Sequence, residues 1–275
     1  LQFGDVAYAL GLKPRHTEIS IPLDKAAHLA ESWLGDTDLP SMDGLNVYVI
    51  SRVVREHGIT VALSGQGGDE LFGGYPSFTD VPALALRMRQ LSWIPRSILR
   101  RLIYAASPSR GAAAREKAAD MAASDRSLRS LYLLRRRTMS NGQMARLGLS
   151  AADAGLPPDF LDPAASAGLD LPPDDPLAAM SLLESRHYLG SMLLRDSDNF
   201  GMAHSLEIRV PFLDRRMLDL AYRIPGRQRL PPGQPPKHLL RAAFPDLIPS
   251  QAPPPKRGFV LPIAAWMTSS LRDFC

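Results

Sequence analysis

A serine, three glycines and two carboxylates are packed into the stretch Ser64-Gly65-Gln66-Gly67-Gly68-Asp69-Glu70. Glycines at that density permit positive φ and let a ligand approach main-chain N–H groups closely. The stretch follows an apolar run, Ile59 to Leu63, which is preceded by Gly58 and reads as a short buried strand. Open α/β sheets bind ligands beyond the carboxyl ends of their strands, so a nucleotide fits this break. Asp69 then suits a hard cation such as Mg²⁺ bridging phosphates, because one or two carboxylates suffice when phosphate oxygens complete the shell. Glu70 can instead cap or charge-stabilise the start of the next helix. Taken alone, the glycines are equally compatible with a tight strand-to-loop turn.

Further candidates lie toward the end of the chain. Glu207 and Arg209 flank Ile208, so on an extended segment they face one side and can meet a ligand or each other. Lys256 sits in a Pro- and Gly-containing loop, where a lysine is also compatible with simple solvation. His16, His204 and His238 lack any metal-ligand spacing and read as structural.

Several elements must position these residues. Phe3 to Leu12 has helical spacing, Thr17 to Ile21 alternates as a strand, and Leu23 to Leu34 is again helical. A polar loop from Asp36 to Leu45 leads into a helix from Asn46 to His57, with Val47, Ile50, Val53 and Val54 on one face. Strands and helices in this order imply a parallel sheet with helices on its faces. After Tyr75 the pattern becomes helical, through Leu84 to Ala106, Gly111 to Met121 and Ser127 to Arg137. The proline-rich stretch Pro157 to Pro176 reads as an exposed connector, followed by helices at Leu177 to Arg195 and Arg216 to Tyr222.

With 275 residues, 45% of them hydrophobic, the chain can bury a sizeable core as one α/β unit with a helical extension. The 32 basic and 28 acidic residues nearly cancel, for a net charge of +4. The clusters Arg96/Arg100/Arg101 and Arg135/Arg136/Arg137 read as solvated helix faces rather than nucleic-acid contacts, since no aromatics interleave with them. A single cysteine, Cys275, excludes an intramolecular disulfide and a Cys-based metal cluster, and agrees with a reducing cytoplasm. No apolar run reaches the roughly 20 residues needed to span a bilayer. The chain starts at Leu1 rather than Met and stops within a helical pattern, so it reads as a fragment.

Four ordered segments carry a family resemblance. LSGQGGDELFGGY, Leu63 to Tyr75, resembles the LSGxGxDExFxGY signature of the synthetase domain of glutamine-hydrolysing asparagine synthetases and their relatives. Asp198 to Asp214 looks like the family's D-x-x-x-MAHSLE-x-RVPFLD block, Lys237 to Arg241 like K-x-x-LR, and Lys256 to Pro262 like K-x-GF-x-x-P. Asp38 to Asp43 resembles a loop beside the family's active site, whereas 79–177 is barely covered.

The resemblance implies an α/β fold of the adenine nucleotide alpha hydrolase-like, PP-loop ATP pyrophosphatase type. Its parts would be 1–78 for nucleotide binding, 79–177 as a variable helical region and 178–275 closing the active site. It implies ATP-dependent amidation with ATP and Mg²⁺: the aspartate carboxylate attacks the α-phosphorus, giving β-aspartyl-AMP and pyrophosphate, and ammonia then displaces AMP. By the same resemblance Lys256 and Gln66 are the catalytic positions, Leu63, Ser64, Gly65, Gly67 and Lys237 meet the nucleotide, Glu207, Arg209 and Asp198 meet substrate, and Asp69 holds the metal. Implied partners are aspartate, ATP and glutamine or ammonia, with an upstream glutaminase domain on the same chain. Neither nucleic acid nor membrane is expected, and a homodimer is compatible.

Two departures qualify this. The asparagine-forming members usually carry Glu where this chain has Gln66, and an amide brings no negative charge and cannot act as a general base. Relatives that adenylate another carboxylate, including β-lactam-forming and peptide-cyclising synthetases and other amidotransferases, therefore stay open, as does a degenerate binding module. The family's SGGxDS pyrophosphate loop and its leading nucleophilic cysteine are absent from these residues and are expected upstream of Leu1. The chain alone is accordingly expected to bind ATP poorly.

Overall fold

The computed structural model describes residues 26–39, 41, 43–106, 111–162, 164, 167–245, 261, 263–269 and 272. The expected helix at 3–12, the strand at 17–21, His16, Lys256 with most of its loop, and Cys275 lie outside the described residues.

In chain order the elements are α1 (Ala26–Gly35), α2 (Gly44–Glu56), β1 (Val61–Leu63), α3 (Gly68–Phe72), α4 (Ser77–Gln90) and α5 (Arg96–Ala105). They continue as α6 (Ala112–Ala123), α7 (Leu128–Arg136), α8 (Asn141–Arg146), α9 (Pro176–Leu183), a π-helical segment (Glu184–Leu193) and α10 (Leu194–Ala203). Then come β2 (Glu207–Arg209), a 3₁₀ turn (Pro211–Leu213), α11 (Arg215–Arg223), α12 (Gly226–Arg229), α13 (His238–Ala243) and α14 (Ile263–Met267). Among the described residues the fold is helix-rich with a small parallel sheet, consistent with an α/β chain. β1 pairs with β2 in the register Val61 to Glu207, Ala62 to Ile208 and Leu63 to Arg209.

The described residues fall into two compact units. One draws on Leu1–Gln66, Ser191–Pro211 and Leu240–Cys275, the other on Gly67–Gly190 and Phe212–Leu239. In the first unit, α2 and α10 pack around Leu45, Tyr48, Val49 and Phe200, with Leu29, Leu261 and Trp266 closing the cluster. The buried face of α2 runs through Leu45, Tyr48 and Val49, while Ile50 is exposed, so the face drawn through Val47, Ile50, Val53 and Val54 is rotated from the true one. The aromatic ring of Tyr48, edge-on to Phe200 at 6.0 Å, decides the orientation.

The strand at the organising break is present but is not the buried strand expected. Val61 is 40% and Leu63 76% exposed, and only Ala62 between them turns inward. β2 is placed by the end of α10. Ser205 adopts φ 55°, and the N–H groups of Leu206 and Ser205 donate to the carbonyls of Gly201 and Met202. This is a Schellman termination with serine in the left-handed position usually given to glycine.

In the second unit, α4, α7 and α9 enclose Phe78, Val81, Leu131, Tyr132, Leu134, Met180 and Leu183. The starts of α7 and α8 carry side-chain caps, Ser127 accepting from the Ser130 N–H and Ser140 from the Gln143 N–H. The connector expected between Pro157 and Pro176 is less exposed than its prolines suggest, because Leu161, Leu169 and Leu171 pack against this core.

The basic run Arg135/Arg136/Arg137 is not a solvated face. Each arginine takes its own carboxylate, Asp80, Glu184 and Asp120 respectively, and those of Arg136 and Arg137 are buried. The helix expected from Leu177 to Arg195 also departs from α geometry. Its π-helical stretch brings Glu184 and Tyr188, four residues apart, to the same guanidinium.

Candidate functional site

The glycine-rich stretch divides between the units, with Ser64, Gly65 and Gln66 in the first and Gly67 to Tyr75 in the second. In the second unit α3 carries Asp69. It begins at Gly67, whose φ of 90° only glycine adopts readily, and ends at Gly73 with φ 71°. The Glu70 carboxylate accepts the Gly67 N–H at 3.0 Å, so Glu70 caps the helix that it sits on. Its other oxygen accepts the Tyr75 hydroxyl at 2.7 Å. Burial pushes the Glu70 carboxyl above its ordinary range, against the opposing pull of that hydroxyl.

Asp69 faces a lysine. Its carboxylate lies 3.0 Å from the Lys237 ammonium, with side-chain exposures of 20% for Asp69 and 38% for Lys237. Lys237 reaches it from a left-handed backbone conformation, φ 58°. The metal ligand and one of the nucleotide contacts expected from the sequence thus lie side by side. A carboxylate left part-exposed beside a cation, at a turn of glycines, fits a cation that phosphate oxygens would complete. Among the described residues no group of three or more His, Cys, Asp or Glu side chains is placed to hold a metal by itself.

In the first unit Gln66 is held by its amide. Nε2 donates to Ser197 Oγ at 2.7 Å and, more weakly, to the Leu193 carbonyl at 3.4 Å. A carbonyl can only accept, so the amide nitrogen must be the atom facing Leu193. Gln66→Glu therefore places a carboxylate oxygen against a carbonyl, and we expect it to lower unfolding free energy by about 1–2 kcal/mol, measured by denaturant titration. Equal stability would show that Ser197 alone sets this side chain.

Glu207 and Arg209 turn to each other. They form a 2.8 Å ion pair at the surface, with more than half of each side chain exposed. Ser64 extends the ladder beyond them, its N–H donating to the Arg209 carbonyl at 2.8 Å. Asp198 is exposed on α10, and Leu63 points out of the sheet. The buried acid on that helix is Asp196, which sequence reasoning passed over. It accepts the Ser41 hydroxyl and Arg195 at 3.1 Å, while Ser41 Oγ accepts the Gly44 N–H and Arg195 also donates to the Leu39 carbonyl. These bonds tie Leu39 and Ser41 to α10. Burial raises the Asp196 carboxyl above its usual range, opposed by Ser41 and Arg195. The His204 ring packs against that of Tyr48, tilted by 58° with centroids 4.4 Å apart.

Also missed were the supports of α3. The Ser181 hydroxyl donates to the Glu70 carbonyl at 2.7 Å, and Arg229, only 3% exposed, donates to the Leu71 carbonyl at 2.7 Å. Both close carbonyls that a five-residue helix cannot satisfy itself. No local pattern in the sequence joins Ser181 or Arg229 to a motif so distant from them.

Comparison with known proteins agrees with the motif. The Asparagine synthase family model matches residues 4–275. A Mycobacterium tuberculosis protein, whose name assigns it to the glutamine-hydrolyzing asparagine synthetases, is 29% identical over 271 residues, covering 95% of this chain and 39% of that protein. Bacillus subtilis asparagine synthetase 1, glutamine-hydrolyzing, is 26% identical over 247 residues, 88% of this chain and 37% of its own. The Homo sapiens glutamine-hydrolyzing asparagine synthetase is 41% identical over 73 residues, 25% of this chain and 13% of that protein. The chain thus spans about two fifths of the length of the bacterial relatives it matches. It belongs to the asparagine synthase family.

Proposed function

We propose that the protein containing this chain is an ATP-dependent amide-forming ligase. The observation that carries this reading is the pairing of Asp69 with Lys237 on the glycine-bounded helix α3, within a chain that matches the family over nearly its whole length. A carboxylate does not accept an amine at neutral pH without a leaving group, so activation as an acyl-adenylate is the chemistry such a ligase needs. In the proposed reaction the side-chain carboxylate of aspartate displaces pyrophosphate from ATP, and glutamine-derived ammonia then displaces AMP to give asparagine.

Asp69 would hold Mg²⁺, which when bound neutralises phosphate charge. Lys237, beside it, would meet phosphate oxygens once the carboxylate turns to the cation. Ser64, Gly65 and Gly67 would meet the nucleotide by main chain and hydroxyl, with Leu63 at the strand end. Lys256 remains the proposed catalytic lysine, and Asp198, Glu207 and Arg209 the substrate contacts. The exposed Glu207–Arg209 pair is available for this, since a surface ion pair at 2.8 Å is worth little and opens at little cost. The proposal extends to a PP-loop type of fold, an upstream glutaminase domain with the SGGxDS loop, a homodimer and a cytoplasmic location. No helix among the described residues is long and apolar enough to cross a membrane.

The amide at Gln66 favours keeping a second reading, in which a related amidotransferase or a β-lactam- or peptide-cyclising synthetase adenylates another carboxylate. Incubating the full-length protein with Mg·ATP, aspartate and glutamine or ammonium, and following asparagine and AMP by mass spectrometry, separates the two. Asparagine formed in step with AMP supports the first. ATP consumed only with other carboxylates supports the second, and ATP left intact throughout supports a binding module. Asp69→Asn is expected to slow AMP release by at least about 100-fold, the loss typical when a group stabilising phosphate charge is removed.

A further inference from the structure

The helix that carries Asp69 is too short to hold itself. Five residues form α3, and a helix of that length has no stability of its own in water. Its N-terminal turn depends on the Glu70 carboxylate, and that carboxylate depends on the Tyr75 hydroxyl. What fixes Tyr75 lies in α7 and in the π-helical segment that follows α9. The Arg136 guanidinium stands over the Tyr75 ring at 4.6 Å and over the Tyr188 ring at 3.8 Å, and the two rings meet edge to face at 5.6 Å. Arg136 is itself held by Glu184, which is fully buried and accepts two of its N–H groups, at 2.7 and 3.3 Å. Glu184 also accepts the Tyr132 hydroxyl at 3.0 Å and the Ser77 hydroxyl.

We infer that Arg136 and Glu184 are positioning residues for Asp69, acting through Tyr75 and Glu70, so that the pairing of α7 with the π-helical segment sets the geometry of the candidate metal and phosphate site. A planar guanidinium set in the corner of two rings and anchored twice by one carboxylate has a single seating. It passes that seating to Tyr75, whose hydroxyl reaches Glu70 Oε1 at 2.7 Å. A lysine keeps the charge at 136 but loses the plane and the fork. The role assigned to Asp69 rests on the ligase reading above, whereas the mechanical link from Arg136 to α3 does not.

The test uses the full-length protein and three variants, Arg136→Lys, Tyr75→Phe and, as control, Arg137→Lys. Arg137 sits one residue away but directs its guanidinium elsewhere, to the buried Asp120 carboxylate and the Asp159 carbonyl, each at 2.9 Å. Two quantities are read: the Mg²⁺ concentration giving half-maximal AMP release at saturating ATP, and amide hydrogen exchange at Leu71 and Gly74, whose N–H groups donate to the Gly67 and Asp69 carbonyls.

Outer-sphere partners of metal ligands typically change metal affinity by about 10–100-fold, so Arg136→Lys and Tyr75→Phe are expected to raise the Mg²⁺ requirement at least about 10-fold. Both should also speed exchange at Leu71 and Gly74, while Arg137→Lys lowers the melting temperature and leaves both readouts at wild-type values. If Arg136→Lys does not fold, Tyr75→Phe, which removes one hydroxyl, decides the matter. Unchanged exchange and Mg²⁺ requirement in Tyr75→Phe, or equal shifts in Arg137→Lys, overturn the inference. If the wild type releases no AMP with any carboxylate, the ligase reading fails and the exchange arm alone decides the link to α3.

Discussion

Gly74→Ala is expected to abolish most activity of the full-length protein and to destabilise it at once. A Cβ at position 74 would stand 1.6 Å from Asp69 Oδ1, 2.5 Å from its Cγ and 2.8 Å from its main-chain Cα. Turning the carboxylate aside relieves the first two contacts but not the third, so α3 itself must shift. Forced insertion into a packed site costs about 1–3 kcal/mol. Displacing a catalytic group by about 1 Å can cost on the order of 100-fold in rate. We expect both, read from a denaturation curve and from AMP release. Gly65→Ala is the contrast, because nothing lies within 4 Å of a Cβ there. That variant should fold like the wild type and lose only nucleotide affinity. Wild-type activity in Gly74→Ala would mean that the Asp69–Gly74 turn is not part of the working site.

Phe200→Ala is expected to be the costliest single change in the first unit, by about 3–5 kcal/mol for removal of a buried phenylalanine. Phe200 has no exposed surface, lies 6.2 Å from Trp33 and 6.0 Å from Tyr48 between ring centres, and approaches Gly44 so closely that a Cβ there would come within 2.5 Å of Cε2. Nothing beside it can collapse into the space without moving α2 against α10. The helix that would move also carries Ser197, the partner of Gln66, and Asp196, which holds Ser41. Phe200→Leu, which keeps most of the volume, should recover most of the loss. Chemical denaturation measures both, and a loss below about 1 kcal/mol for the alanine variant would show that this cluster is not the core of the unit.

The chain's own pattern determined more of the helices than of their faces. α7 could be read from Leu128, Leu131, Tyr132 and Leu134 because apolar residues at helical spacing must share a side, and three of these four are fully buried. α2 was equally visible, but its buried face was not. Ile50 is 45% exposed and Tyr48 is buried, since aromatic packing against α10 outweighs hydrophobicity summed along one helix. The motif from Leu63 to Tyr75 announced a site locally, because glycines beside carboxylates state their chemistry without reference to the rest of the chain.

Only the tertiary structure decided what those residues touch. It joined Asp69 to Lys237, tied Gln66 to Ser197, and set Arg136 and Arg137 on separate carboxylates. Such pairings arise between segments far apart in sequence, where burial and a partner's position, rather than local spacing, select the contact. Periodicity records which side of an element is apolar. It carries no record of which distant hydroxyl or guanidinium will satisfy a buried carboxylate, and here that choice holds the candidate site in place.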